Sequence, residues 1–262
     1  MRIFLLSVIY FALIQCAYSQ YFPPNSPRGN VININYYDSK LKPQRYFQSL
    51  SVDYKFNILS SSPVGTRFIA TQFWLDPRDG SGNGDTLYMG INPPQKAEGY
   101  SGQAHFSYFG SHAGKLYSKN CAKGADGGSG VTCGITLSAQ EKHKYRLTST
   151  IKEVTAQHTV VQGTLVEWDE KGRRIQSTII GEFEILRGHM GYSYPVGWVE
   201  GSSDPCSALV KTEIAFSSIS VKNFDAKYGK YDLPIKTIPS NKCGVTMSAY
   251  PKKNIWIMRY GQ

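Results

Sequence analysis

The sequence predicts an all-β protein, an antiparallel β-sandwich or jelly roll, with a cleaved N-terminal signal peptide. Three observations support this fold class. Segments rich in Val, Ile, Thr, Tyr and Phe alternate apolar and polar residues with a period of two. Helical periodicity is almost absent, and turns rich in Gly, Asp and Ser separate the segments. Many short strands without intervening helices are typical of antiparallel sandwiches and jelly rolls.

The strands are predicted where the alternation is strongest. The clearest local feature is a hairpin, in which Thr164–Trp168 and Arg173–Ile180 flank the turn Asp169–Gly172. Glycine-rich turns also fall at Asp79–Asp85 and Gly201–Pro205. The predicted strands are Val31–Tyr37, Tyr46–Ile58, Thr66–Leu75, Thr86–Ile91, Gln103–Phe109, Tyr145–Val154, Thr159–Trp168, Arg174–Leu186, Glu213–Val221, Val245–Tyr250 and Ile255–Arg259.

Residues 1–19 have the pattern of a secretory signal peptide. Arg2 precedes the apolar run Ile3–Ile14, and the small residues Ala17 and Ser19 fit a cleavage site after Ser19. The run has 12 residues, whereas a membrane-spanning helix needs about 20. We therefore expect a secreted, extracellular protein without a transmembrane segment.

The mature chain is long enough for one large β domain. Residues 20–29 contain three prolines and are expected to form an irregular N-terminal arm. The sandwich is predicted over residues 30–222. Residues 223–262, where the composition turns rich in Lys, Tyr and Asp, are predicted to be a C-terminal extension that a disulfide ties back.

Cysteine usage agrees with export. Cys16 leaves with the signal peptide, and the even number that remains predicts two disulfides among Cys121, Cys133, Cys206 and Cys243. Three pairings are open. We expect Cys121–Cys133 and Cys206–Cys243, because each pair closes a loop rich in Gly, Ser, Lys or Pro. The alternative, a zinc site, is disfavoured because the chain has no C-x-x-C pair.

The charge balance favours acidic partners. The full sequence carries a net charge of +10, and removal of Arg2 with the leader makes it +9. Such a balance suits acidic glycans, anionic membranes or nucleic acid. The charge is scattered along the chain, so it is expected to serve mainly solubility, with a bias toward acidic partners. Export disfavours nucleic acid, and the suspected partner is a glycan or an acidic polysaccharide.

Six short segments follow one another in order within residues 60–222. They are Leu87–Asn92, His105–Phe109, Gly127–Cys133, Lys144–Leu147, Gly197–Glu200 and, after Cys206, Glu213–Ile219. In this order they resemble a large family of secreted domains of unknown function. Asn92 stands where that family has Gln, and the glycine-rich segment lacks the usual acidic residue. The resemblance implies a lectin-type β-sandwich that binds carbohydrate, and it implies no catalytic residues.

One polar turn could hold calcium. Asp76, Asp79, Asn83 and Asp85 offer oxygen ligands on a glycine-rich loop, which is the donor type that Ca²⁺ prefers. The spacing is not that of an EF-hand, and Arg78 inside the turn opposes a cation. The alternative is an ordinary Asp/Gly turn. No other cofactor is expected.

Aromatic residues suggest a sugar-binding surface, because sugar rings stack their C–H faces on aromatic planes. The run Gly188–Glu200 is aromatic, spaced by glycines and difficult to place as a strand, which is typical of functional loops on β scaffolds. The alternative is that these rings cover the ends of the core. The predicted ligand-binding residues are Tyr100, Tyr192, Tyr194, Trp198 and Glu200.

The sequence contains residue types that enzymes use for catalysis, but they do not follow the spacing of a known catalytic motif. Glu182 and Glu184 alternate on one strand, so they could be paired carboxylates or a solvent-facing stripe. A lyase would need His or Tyr with a basic residue, and the residues close in sequence are His105, Tyr108, His112 and Lys115. No G-x-S-x-G motif occurs.

The leading prediction is therefore a secreted, lectin-like carbohydrate-binding protein. One alternative is a polysaccharide-degrading enzyme that acts on acidic glycans. The other is an extracellular membrane-active or matrix protein.

Overall fold

The computed structural model describes residues 31–36, 46–58, 68–80, 84–93, 102–137, 142–200, 212–224, 230–233, 235–237, 246–250 and 255–260. The signal peptide (1–19) and arm (20–29) lie outside these residues, as do Asn83, Tyr100, Cys206 and Cys243. Over the described residues every regular element is a β-strand, which confirms the predicted all-β class. Within the same ranges, the chain forms no helix with the length and hydropathy of a membrane span.

The strands are numbered along the chain. They are β1 (Val31–Tyr36), β2 (Phe47–Ile58), β3 (Phe68–Pro77), β4 (Asp85–Asn92), β5 (Gly102–Phe109), β6 (Ala113–Leu116), β7 (Cys121–Ala125), β8 (Gly128–Leu137), β9 (Lys144–Val154), β10 (Thr159–Trp168), β11 (Arg174–Ile185), β12 (Met190–Glu200), β13 (Thr212–Ser217), β14 (Ile219–Asn223), β15 (Lys230–Leu233), β16 (Ile235–Thr237), β17 (Thr246–Tyr250) and β18 (Ile255–Tyr260).

The described strands form two antiparallel layers. Sheet I has the order β16–β1–β12–β3–β4–β5–β8–β7. Sheet II has the order β6–β11–β10–β9–β2, and β13 and β14 then pair with successive parts of β2. The strands after Asn223 add to both sheets: β15 pairs with β14, β18 with β13, β17 with β18, and β16 with β1.

The core lies between the two sheets. Phe106 of sheet I packs on Phe183 of sheet II, with ring centroids 5.3 Å apart. Gly163 of β10 lies under Phe106, where a Cβ would be 2.5 Å from the Cγ of that ring. Ser149 of β9 donates a buried hydrogen bond to the hydroxyl of Tyr192 in β12, at 2.7 Å. These contacts join the layers face to face and define a β-sandwich.

The run Gly188–Glu200 is not a loop, contrary to the prediction, because it contains strand β12. This strand lies inside sheet I, between β1 and β3. Its register against β3 shifts by one residue between Ser193 and Val196, and Pro195 lies within that bulge. Proline lacks the N–H that a regular ladder requires, so sheets accommodate it at bulges and edges. Pro195 and the neighbouring glycines therefore led to the prediction of a loop where the structure has a strand.

A second difference concerns the predicted strand Glu213–Val221. The structure divides it at Ser218 into β13 and β14. The two pieces pair with different parts of β2, so the sheet is interrupted opposite Val52 and Asp53.

The disulfide Cys121–Cys133 is present, as predicted, and joins directly opposite residues of β7 and β8. Gly181 of β11 lies against it, and a side chain at Gly181 would overlap both sulfur atoms. The hairpin is thereby pinned to sheet II as well as to β5. The pair Cys206–Cys243 stays a prediction.

Candidate functional site

A depression of about 370 Å³ lies on the outer face of sheet I. It crosses β12, β3, β4, β5 and β8, which is a span of about 19 Å at the usual inter-strand spacing of about 4.8 Å. We call this depression the aromatic groove. The residues that line it are Phe68, Tyr88, Asn92, Gln103, His105, Asp126, Thr132 and Trp198.

Small residues of β3, β4 and β8 lie beneath the centre of the groove. Trp198 pairs with Ala70, Ala70 with Gly90, and Gly90 with His105. His105 in turn pairs with Gly134. Residues directly opposite each other in a sheet point to the same face. Trp198 and His105 therefore stand on either side of these small residues, and the ring of Phe68 lies over Gly90 between them.

The walls are aromatic and share one central ring. Phe68 packs edge-on against Trp198, Tyr88 and His105, at centroid distances of 5.1, 5.4 and 5.7 Å. Tyr88 also contacts Trp198 at 6.1 Å and Phe109 at 5.0 Å. Phe68 is only 8% exposed, whereas Trp198, Tyr88 and His105 are half-buried. The cluster is thus a rigid apolar surface with three rings that still reach solvent.

Polar groups surround the rings. The Nε1 of Trp198 is buried there without an acceptor. Asn92 and Gln103 are paired on neighbouring strands beside it. Buried polar groups are normally hydrogen-bonded. The indole N–H of Trp198 could therefore donate a hydrogen bond to an acceptor on a bound ligand.

His105 and Asp126 are the basic and acidic side chains among the described lining residues. Burial lowers the pKa of His105, and the nearby Asp126 carboxylate opposes this by raising it. Asp126 lies at the tip of the β7–β8 hairpin with a φ of 46°. Because no Lys or Arg is among the described lining residues, the groove carries no excess of positive charge.

The structure places the predicted ligand-binding residues Trp198 and Tyr192 in different environments. Trp198 lies in the groove, as described. Tyr192 does not, contrary to the prediction: it is fully buried, packs on Phe73 at 4.9 Å and accepts the hydrogen bond from Ser149. Burial raises the pKa of Tyr192 accordingly. Tyr194 and Glu200 are in the backbone of β12, but their side chains lie outside the described part, as does all of Tyr100.

One feature explains why Tyr192 and Trp198 lie on opposite faces of sheet I. Six positions separate them, so simple alternation would place both on the same face. The bulge between Ser193 and Val196 inserts one residue relative to β3 and reverses the alternation. Tyr192 therefore points into the core and Trp198 points outward.

Two carboxylates of the predicted calcium turn are already engaged by protein donors. Asp85 accepts from the Tyr108 hydroxyl at 2.7 Å and from Arg187 at 3.3 Å. Asp76 accepts from the Ser193 hydroxyl. Asp79 is exposed, and Asn83 lies outside the described residues. The described residues contain no group of three metal-ligating side chains. Calcium at this turn stays a prediction, and thermal unfolding with and without calcium tests it.

The sets considered for catalysis do not meet in one place. Glu184 accepts from the backbone N–H of Lys115 at 3.1 Å, and Glu182 accepts from Gln162; both carboxylates lie on sheet II. Tyr108 points into the core, three positions from the outward His105. His112 is exposed in the turn before β6. Of the named His, Tyr and Lys residues, His105 lines the groove.

Most groove residues were not predicted: Phe68, Tyr88, Asn92, Gln103, Asp126 and Thr132. A signal was present in β4 and β5, where Tyr88, Asn92, Gln103 and His105 occupy alternate positions between buried ones. The segments that carry the family resemblance hold related information. Leu87–Asn92, His105–Phe109, Gly127–Cys133 and Gly197–Glu200 contribute to β4, β5, β8 and β12, so they converge on this face.

Comparison with known proteins gives no family. No family model matches the chain, and no curated protein matches it at a significant level. The solved structures include a prokaryotic β-1,3-1,4-glucanase (lichenase) from a mouse hindgut metagenome, with a TM-score of 0.29 and 8% identity over 88% of this chain and 76% of that one. The marine PL-14 alginate lyase from Aplysia kurodai has a TM-score of 0.31 and 9% identity, over 62% of this chain and 70% of that one.

The Bacillus licheniformis β-glucanase gives a TM-score of 0.29 and 6% identity, over 88% of this chain and 78% of that one. Scores and identities this low carry no argument about what this chain binds. The class defined here, a β-sandwich with an aromatic groove on the outer face of one sheet, rests on the strand pairing and the contacts described above.

Proposed function

We propose that the chain is a secreted protein that binds a neutral glycan in the aromatic groove. The observation that carries the proposal is that one depression combines three solvent-reaching rings with the Trp198 Nε1, which has no acceptor in the part of the chain that the structure describes. Sugar rings offer apolar C–H faces for stacking and hydroxyls for hydrogen bonding. Ligand sites commonly combine a mostly apolar lining with a few placed polar groups in this way.

The charge of the groove favours a neutral glycan over an acidic one. A carboxylate or sulfate would meet Asp126 there, and its described lining offers no Lys or Arg. Removing an anion from water without a paired cation is unfavourable. The described basic side chains lie outside this lining.

The groove also favours an oligosaccharide over a single sugar. Its walls stand on β12 and β5, and Thr132 of β8 extends the lining one strand further. A chain laid across the strands would contact Trp198, Tyr88 and His105 in turn.

Affinity for neutral polysaccharides tests the proposal. We would screen the mature protein on a glycan array and measure the best ligand by calorimetry, for the parent and for Trp198→Ala. Loss of one buried aromatic contact of the hot-spot type costs about 2 kcal/mol, so affinity falls roughly 30-fold. Trp168→Ala is the matched control, because Trp168 is a half-buried tryptophan of sheet II. Failure to bind any neutral glycan, or equal losses in both variants, would refute the proposal.

A second candidate function, processing of the bound glycan, is favoured by His105. Burial holds this imidazole neutral at ordinary pH, and none of the described residues hydrogen-bonds it, so it is available as a general base. Product analysis after long incubation with the bound glycan separates the two functions. Release of shorter chains by the parent but not by His105→Gln supports processing, and unchanged glycan supports binding alone.

A further inference from the structure

A second, larger cavity of about 610 Å³ lies on the outer face of sheet II, away from the aromatic groove. It opens where β13 ends and β14 begins. We call it the basic pocket. Its polar lining includes Asp53 and Lys55 of β2, Lys144 and Arg146 of β9, Ser217 and Ser220 beside the break, and Asp232 of β15.

The break in the sheet creates the pocket. β13 pairs with β2 from Tyr54 onward and β14 pairs with it up to Ser51, so the ladder is interrupted between them. The backbone N–H of Asp53 donates to the Ser217 hydroxyl at 3.0 Å. Sheets often carry such irregularities next to functional sites, because they redirect side chains.

One carboxylate of the pocket is already neutralised. Arg146 forms a bidentate pair with Asp53, with Nε–Oδ1 and Nη2–Oδ2 distances of 2.5 and 2.9 Å. The Asp53 hydrogen bonds raise the pKa of Arg146. Lys144 lies 3.8 Å from the same carboxylate and 4.2 Å from the ring centre of Trp168. Asp53 therefore fixes the two cations in place.

The pocket also contains a lysine without an ion pair and a buried hydroxyl without a hydrogen bond, both judged among the described residues. Lys55 lies directly opposite Lys144 on the neighbouring strand, is exposed and makes no ion pair with the described residues. Like charges that face each other across a sheet are destabilising. The Ser220 hydroxyl is buried without a partner among the described residues. Asp232 lies opposite Ser220 on β15 and also lines the pocket, so three cations stand against two carboxylates among the described lining residues and one net positive charge remains.

We infer that the basic pocket binds an acidic saccharide through its carboxylate or sulfate group. An anionic group between Lys55 and Lys144 would relieve their repulsion. The Ser220 hydroxyl lies opposite Ser51, about 13 Å along β2 from Lys55 at the usual rise per residue, and could donate a hydrogen bond to another oxygen of the same saccharide. The volume lies in the range of organic ligand sites rather than that of a single inorganic ion. This site shares no lining residue with the aromatic groove, so it stands or falls independently of the neutral-glycan proposal.

The test measures binding of oligogalacturonate, heparin oligosaccharide and inorganic sulfate to the mature protein by calorimetry. The key variant is Lys55→Gln/Lys144→Gln, which retains Arg146 so that Asp53 stays paired. The control is Lys123→Gln/Lys171→Gln, two exposed lysines outside the pocket that remove the same charge. We expect at least a tenfold loss in the first variant and less than a twofold loss in the second.

Ser220→Ala tests the hydroxyl without a change of charge, and we expect a threefold to tenfold loss of acidic-saccharide affinity. Trp198→Ala should leave this binding unchanged, which separates it from the groove. Equal losses in both lysine variants would mean attraction to net charge and would overturn the inference. Absence of binding to both oligosaccharides, or binding of sulfate as tight as theirs, would overturn it too.

Discussion

Gly90 lies directly beneath the ring of Phe68, and a Cβ on Gly90 would come within 2.5 Å of the Phe68 Cζ atom. Phe68 is the ring that Trp198, Tyr88 and His105 all contact. The absence of a side chain at Gly90 thus sets the height of the whole aromatic cluster.

Gly90→Ala should therefore disturb both packing and ligand binding. Overpacking of a well-packed site typically costs about 1–3 kcal/mol. We expect such a loss in the free energy of unfolding by urea, together with a fall of about tenfold in neutral-glycan affinity as Phe68 lifts. Gly134→Ala is the control, because its methyl group would meet His105 at an ordinary 3.5 Å. A Gly90→Ala protein with parent affinity would contradict this account of the floor.

Tyr192→Phe should change stability and leave the groove alone. The substitution removes the acceptor of the Ser149 hydrogen bond inside the core. A buried donor left unpaired costs about 1–3 kcal/mol. Chemical denaturation should show this loss, while calorimetry shows parent affinity for glycan. If affinity falls and stability does not, Tyr192 belongs to the site after all.

Cys121→Ala/Cys133→Ala should be clearly destabilising. The bridge spans a sequence separation of 12 residues, for which the chain-entropy argument gives about 3 kcal/mol. Because Asp126 sits at the tip of the same hairpin, glycan affinity should weaken as well. Cys206→Ala/Cys243→Ala is the comparison, and a non-reducing peptide map of each protein identifies the remaining bridge. An unchanged urea midpoint in the first variant would show that the bridge contributes little.

Stability should fall on mild acidification in part through His105. Burial lowers its folded-state pKa, whereas the unfolded chain has the ordinary value of about 6.5. The unfolded state therefore binds more protons between these two values, and the free energy of unfolding decreases as the pH falls through 6.5. The loss levels off below the folded pKa, where both states are protonated.

Urea unfolding between pH 4 and pH 8 measures this dependence, and His105→Gln should flatten it. An NMR titration that places the His105 pKa at or above the ordinary value would contradict the burial argument.

Local features of the fold were predictable where turn and strand chemistry agree. The β10–β11 hairpin follows the prediction, because Asp169 accepts from the backbone N–H groups of Lys171 and Arg173 and Gly172 takes a φ of 78°. The glycine-rich strand β8 was missed. Its β-propensity is weak, and its place is fixed by pairing with β5 and by the disulfide.

Most of the groove could not be predicted from the sequence. Trp198, Ala70 and Gly90 are neighbours only through cross-strand register, which a single sequence does not contain. The wrong assignment of Tyr192 has the same origin, since alternation was correct on each side of the bulge but not across it.

The bulge in β12 has a consequence for how this surface tolerates a change in chain length. Removal of one residue between Ser193 and Val196 would restore plain alternation along the strand. Tyr192 and Trp198 would then be five positions apart, so Tyr192 and Val199 would stay buried and Trp198 would keep facing outward. A single-codon deletion at this point could thus remove the bulge while the binding face kept its residues.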